Sequence, residues 1–214
     1  MAPLTVDFVS DVVCPWCLIG LTRLEQALDG ADVELRMRPF QLDASTPPEG
    51  VDLRERLRAR YDVDPEKMFS RVEQTARESG IPLDFAKVRR WPSTLKAHAL
   101  VGAAAEKGAQ LALGRALFRA YFLEGRDVGE DATLLEIAAA HGFTRGDAAK
   151  IIGDEDALAA VRAEAGGLSA QGITGVPFTV FGGRLAVSGA QPVDAFRQAL
   201  ERARAEVSRG ASVP

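Results

Sequence analysis

Two thiols stand at a spacing that can do redox chemistry: Cys14-Pro15-Trp16-Cys17 holds the only cysteines of this 214-residue chain. A dithiol closes into a disulfide without moving its backbone if the two Cα atoms lie within about 7 Å. Residues three apart on the first turn of a helix share a face and meet that limit. The flanks predict such a turn. Residues 4–9 form an apolar run that reads as a buried strand, and residues 18–28 carry apolar side chains at helical spacing. Cys14 then falls at a helix N-terminus, where unpaired amides and the helix dipole favour a thiolate, the reactive form. Pro15 suits the first helical position, because its missing N–H has no partner there anyway. Cys17 lies one turn further in and is expected to be the more buried. Cys14 is therefore read as the attacking nucleophile and Cys17 as the resolving thiol of a redox-active C-x-x-C.

Other uses of the pair are weaker. A structural zinc site needs four ligands as a rule. The chain offers only these cysteines with His98 and His141, which stand far apart with no H-x-x-x-H spacing. No metal is expected. A purely structural disulfide would close too small a loop to stabilise much. Asp7, inside the preceding strand, is either a solvated aspartate or a carboxylate that moves a proton near the dithiol. Asp11 is read as shaping the turn before the motif.

Composition bounds the rest. Apolar residues make up 47% and charged residues 26%, with a net charge of −4 and a pI near 5.4. These values suit a soluble globular chain and give no reason to expect nucleic acid as partner. No apolar run is long enough to span a bilayer, and residues 1–7 lack a basic segment followed by an apolar one. A cytoplasmic protein is expected, and there a lone C-x-x-C is catalytic more often than structural.

The elements that must position the dithiol follow from periodicity and punctuation. A strand at 5–10, a helix at 15–28 stopped by Asp29-Gly30, and an alternating strand at 33–42 make a β-α-β unit. A loop at 43–50 follows. Residues 52–171 then read as nearly continuous helix in segments bounded by glycine, with Asp64-Pro65-Glu66 as one N-terminal cap and a break expected at Gly166-Gly167. Residues 176–181 and 184–187, joined by Gly182-Gly183, predict a hairpin, and 193–207 a final amphipathic helix. The tail 208–214 is read as disordered. This order is an α/β fold, a thioredoxin-like sheet interrupted by a large all-helical insertion. Its domains are expected at 1–50 with 172–214 (discontinuous) and at 51–171, with a binding groove between them.

The chain resembles the DsbA-like thioredoxin superfamily, and within it the FrnE-like branch of dithiol-disulfide oxidoreductases. The resemblance is carried by Asp11-Val12-Val13-Cys14-Pro15-Trp16-Cys17, Arg38-Pro39-Phe40-Gln41-Leu42, Ser93-Thr94-Leu95-Lys96-Ala97-His98, Gly175-Val176-Pro177-Phe178 and Ser188-Gly189-Ala190-Gln191. It implies a cis peptide bond between Val176 and Pro177 facing the dithiol, with Val176 offering its backbone to substrate. It also implies that His98 borders the substrate site, where the other reading is a polar-faced or hydrogen-bonded core histidine; Pro15 and Trp16, beside the thiols, are read as substrate-binding residues. Trp16 has a second reading as packing against the insertion, and Trp91 and Tyr121 read as packing residues. The implied activity is disulfide exchange with protein or small-molecule disulfides, without a bound cofactor and with glutathione as a candidate co-substrate.

Kappa-class glutathione transferases and 2-hydroxychromene-2-carboxylate isomerases are similar in fold. They carry serine where Cys14 stands, so a glutathione-dependent transferase or isomerase is the alternative reading and leaves Cys17 unexplained. A non-catalytic peptide-binding module is a third. Trp16 replaces the histidine of periplasmic DsbA, which predicts a dithiol less oxidising than DsbA at about −120 mV. The sequence does not identify the oligomeric state.

Overall fold

The structure is a computed structural model that describes residues 3–210. Its sheet has four strands in the order β2-β1-β5-β6. β1 (Leu4–Ser10) runs parallel to β2 (Val33–Pro39) and antiparallel to β5 (Phe178–Phe181), which pairs antiparallel with β6 (Leu185–Ser188). α1 (Pro15–Leu28) links the two parallel strands, and α9 (Val193–Gly210) closes the chain and packs against α1. β2 ends at Pro39, short of the predicted 42. Proline has no N–H for a ladder and suits the end of an edge strand.

Register decides which side chains meet the core. Val6 and Phe8 are fully buried, and Phe8 stands opposite Met37 on one side and Thr179 on the other. Asp7, one residue out of phase, lies on the opposite face. There Arg38 approaches it at 3.4 Å and Glu164 at 2.5 Å.

The insertion contains α2 (Leu53–Tyr61), α3 (Pro65–Glu78), α4 (Leu95–Ala103), α5 (Gln110–Phe122), α6 (Asp131–Ala139), α7 (Arg145–Gly153) and α8 (Glu155–Ala170). Asp52, Asp64, Thr144 and Asp154 cap α2, α3, α7 and α8 through their side chains, as their residue types predict. A two-residue ribbon, β3 (Val51–Asp52) with β4 (Arg90–Trp91), interrupts the helices. α8 runs unbroken through Gly166 and Gly167, since a helix held by packing along Leu158, Val161 and Ala165 tolerates glycine. α9 continues through Ser208 and Arg209, which corrects the expected tail; residues 211–214 lie outside the described region. Its amphipathic face, with Phe196, Leu200 and Ala203 buried, carries the helix on.

One apolar cluster runs from Val6 and Phe8 through Ile19 and Leu24 into Leu117, Phe118 and Leu134. The sheet unit and the insertion therefore share a core. α4, α5 and α8 all reach the β2 edge. Among the described residues no helix is long and apolar enough to cross a membrane.

Candidate active site

The turn that ends β1 places the first thiol. The Cys14 amide donates to the carbonyl of Asp11 at 2.9 Å, and Cys14 takes the N-cap position of α1 with extended backbone (φ −89°, ψ 113°). No side chain caps this helix, and Pro15 occupies its first position. A sulfur thus stands where a serine or aspartate oxygen usually receives the first amides. Both cysteines are free thiols in the structure. Cys17 is fully buried and Cys14 retains 3% exposure, the order expected from their positions.

The two thiols are not equivalent. Burial pushes the Cys17 thiol well above its ordinary range. A hydrogen bond to the Cys14 sulfur and the charges of Cys14 and Asp11 add to this, while a backbone hydrogen bond with Asp11 opposes it. Cys17 is therefore the proton-holding partner of the pair. Cys14 is the sulfur that faces outward.

The Val176–Pro177 peptide bond is cis. The Cys14 Sγ lies 3.6 Å from the Val176 carbonyl oxygen, so 162 positions of chain separation collapse to contact at the dithiol. Gly20, one turn beyond Cys17, makes the approach feasible. A Cβ on Gly20 would sit 2.8 Å from Pro177 Cγ and 3.5 Å from Ala190 Cα. Arg23 on the same helix donates to the Ala190 carbonyl at 2.8 Å and to Ser79 Oγ at 2.9 Å. α1 thereby ties the Pro177 segment to the end of α3.

A cavity of about 350 Å³ opens beside Cys14 and lies between the sheet unit and the insertion. Pro15, Trp16 and Val176 form one wall; Leu57, Phe69, Val72 and Phe85 from the insertion form the other. Phe69 and Phe85 stack with centroids 4.1 Å apart. Tyr61 and Val63 are 45% and 37% exposed at the lining, an apolar surface that sequence reasoning did not assign to the site. Among the described residues no charged side chain lines this cavity. Trp16 serves both of its readings, since it packs on the core and borders the cavity. Trp91 and Tyr121, read as packing residues, are buried and also line it.

The wall is braced by charge. Asp43, with its side chain 2% exposed, binds the Arg56 guanidinium and Ser45, and Arg60 lies 3.6 Å away. Burial alone would raise the Asp43 carboxyl, but Ser45 and Arg56 outweigh it and hold the carboxyl below its ordinary value. Helix α2 is thus clamped to the loop after β2.

The carboxylate nearest the dithiol is Asp11 and not Asp7, which strand parity turns to the far face. Asp11 is 1% exposed. Its Oδ2 accepts the Leu42 amide at 2.8 Å, which shapes the turn as predicted, and its Oδ1 lies 3.3 Å from His98 Nε2. His98 is 4% exposed and reaches the motif from behind, away from the apolar cavity. His141 is engaged with the Ile137 carbonyl at 2.7 Å. Among the described residues no group of three or more His, Cys, Asp or Glu could hold a metal ion.

Comparison with known proteins agrees with this architecture. The chain belongs to the DSBA-like thioredoxin domain family, whose model matches residues 5–201. Its structure is similar to a probable DsbA oxidoreductase from Streptomyces coelicolor, with 33% identity over 95% of this chain and 91% of that one and a TM-score of 0.85. A 2-hydroxychromene-2-carboxylate isomerase shares the fold, with 16% identity over 97% and 98% of the two chains and a TM-score of 0.71. So does the cytosolic disulfide reductase DsbM from Pseudomonas aeruginosa, solved with GSH, with 19% identity over 98% and 100% and a TM-score of 0.64. An uncharacterized protein of Bacillus subtilis, YwbO, is 27% identical over 141 residues. That match spans 64% of this chain and 66% of YwbO, just under two thirds of the relative's length.

Proposed function

We propose that the chain is a thiol-disulfide oxidoreductase that works through Cys14 and Cys17, of the FrnE-like kind and cytoplasmic. The observation that carries this is the asymmetry of the pair. Cys14 stands at the N-cap position of a helix beside a substrate-sized cavity, while Cys17 is sealed behind it and holds its proton. In the reductive direction, the Cys14 thiolate attacks a substrate sulfur and the S–S bond breaks, giving a mixed disulfide and one released thiol. Cys17 then loses its proton and attacks Cys14 Sγ. The second substrate thiol leaves, and the pair is now a disulfide that has given up two electrons. Oxidation of a dithiol substrate is the reverse. The Val176 backbone offers an edge for an extended substrate, and the lining favours disulfides that carry apolar groups.

A glutathione-dependent transferase or isomerase is the second reading, supported by the shared fold. The uncharged cavity lining speaks against it, because glutathione brings two carboxylates and an ammonium that would need partners. No bound cofactor is called for, and glutathione is retained as a candidate co-substrate.

The test uses both single variants with a disulfide-bonded peptide substrate. Cys14→Ser is expected to abolish turnover, and Cys17→Ser to accumulate a mixed disulfide detectable by mass. Full activity in Cys14→Ser would sink the mechanism and leave the non-catalytic peptide-binding reading. Activity that survives Cys17→Ser and saturates with glutathione would favour the second reading.

A further inference from the structure

The stretch that brings its backbone to Cys14 has few bonds of its own. Among the described residues no backbone–backbone hydrogen bond reaches residues 174–176, and Thr174 and Gly175 are exposed. The anchors lie at the two ends. The Ile173 amide donates to the Leu168 carbonyl at 3.2 Å, and the Pro177 carbonyl accepts the Gly189 amide at 2.8 Å. Gly189 belongs to the bend after β6, and that bend is held in turn from α1, where Arg23 Nη1 donates to the Ala190 carbonyl at 2.8 Å. Nε of the same guanidinium donates to Ser79 Oγ at 2.9 Å, at the C-cap of α3. The Ser79 hydroxyl gives its own proton to the Thr75 carbonyl at 3.2 Å, so it can only accept from Arg23.

Arg23 is half-buried, and among the described residues no carboxylate pairs with it. Its partners are a hydroxyl and a carbonyl on two different elements. The rigid fork of a guanidinium can span two such acceptors, which a single ammonium cannot. α3 also carries Phe69 and Val72 of the cavity wall. The apolar wall and the Val176 segment therefore take their positions from one side chain. We propose that Arg23 is a positioning residue that sets specificity for extended peptides. It holds the Val176 carbonyl where a backbone N–H of a substrate joined to Cys14 can reach it, in step with the wall of α3. The inference rests on the dithiol mechanism above.

The reaction itself gives that carbonyl a reason to be held. In the reduced protein the Cys14 thiol donates to the Val176 carbonyl, with Sγ 3.6 Å away. Once Cys14 is joined to substrate it has no S–H, and the carbonyl is left without that donor. A backbone N–H beside the substrate cysteine takes the place, provided the carbonyl stays where the thiol left it. Without Arg23 the Ala190 carbonyl loses its donor and the bend that anchors Pro177 is free to shift. A disulfide without a peptide backbone makes no use of the Val176 carbonyl and depends on the Cys14 sulfur alone. Arg23 thus separates substrates by whether they bring a strand, and it acts through the bend and not on the sulfurs.

Three disulfides test this against the reduced protein, with acid-quenched samples read by mass. The first is a terminally blocked peptide disulfide, the second is the same peptide N-methylated at its cysteine and at the residue that follows, and the third is hydroxyethyl disulfide. In Arg23→Gln the second-order rate constant for the first peptide, taken relative to that for hydroxyethyl disulfide, is expected to fall about tenfold, the worth of one hydrogen bond. The fall should lie in the half-saturation concentration of the peptide and not in its limiting rate. The N-methylated peptide should react slowly with the unmodified protein and lose no more in Arg23→Gln. Arg23→Lys reaches only one acceptor; it should fall between, and serves if Arg23→Gln does not fold. Ser79→Ala should lower the same ratio, and the double variant should do no worse than Arg23→Gln alone, because both act through one fork. An unchanged ratio in both Arg23 variants overturns the proposal, as does an equal loss on both peptides; losses that add in the double variant overturn the shared path. Failure of the unmodified protein to react with any of the three overturns the dithiol mechanism instead, so the two failures are distinct.

Discussion

At the scale of single residues, the two thiols of the motif are unequal. Cys14 and Cys17 differ by one turn of helix, yet one faces a cavity and the other is enclosed. The enclosure has a thermodynamic sign. Cys17 is held above its usual 9.0, so above that pH the unfolded chain gives up a proton that the native chain still keeps. The contribution is complete below about pH 9 and is lost as pH rises toward the native value. The urea midpoint of the reduced protein should therefore fall more steeply between about pH 8 and 10 than that of Cys17→Ala. Tyr121, raised mainly by burial, adds a similar loss at higher pH in both proteins and cancels in the comparison.

At the scale of elements, α1 does more than present the thiols. Its second turn carries Gly20 against Pro177, and its third carries Arg23 to Ala190 and Ser79. The segment before β5 and the end of α3 are thus both referenced to the helix that holds the dithiol. Gly20→Ala forces a methyl against a proline ring that has little freedom to yield. The expected cost is about 1–3 kcal/mol of stability, the usual range for overpacking. Activity should fall further than stability does, because the Val176 carbonyl moves away from Cys14. Chemical denaturation and turnover at a temperature where the variant is folded separate the two effects.

At the scale of the whole molecule, the apolar cavity beside Cys14 exists only because two units meet. The sheet unit supplies Cys14, Trp16 and Val176, and the insertion supplies the apolar wall. Tyr61 lies at the exposed rim and bears little on the core. Tyr61→Ser should raise KM about tenfold for a disulfide carrying a bulky apolar group, which corresponds to about 1.4 kcal/mol of lost contact. Turnover of a small polar disulfide should be unaffected. Parallel steady-state kinetics on the two substrates check this, and an equal loss on both would place the effect in stability instead.

The dithiol was legible in the chain because its signal is local. Two cysteines at fixed spacing, a proline at the first helical position and an apolar run on either side report a strand, a turn and a helix N-terminus. The helix cap at Asp64 and the Gly182-Gly183 hairpin turn were legible for the same reason, and so was the order β-α-β, helices, β-β-α. Spacing and periodicity did not reveal the partners of the dithiol; the cis Val176–Pro177 bond facing it was expected only from the family resemblance. Whether Asp7 or Asp11 lies on the side of the dithiol depends on strand parity and on a turn, and no periodicity distinguishes them. His98 finds Asp11 across 87 positions, and Val176 finds Cys14 across 162. The apolar lining supplied by α2 and α3 was not legible, because a helix face that lines a cavity and one that fills a core carry the same side chains. Local chemistry determined where the candidate reaction centre lies. Only the packing of the insertion against the sheet decided what surrounds it, because those contacts join segments that no local rule relates.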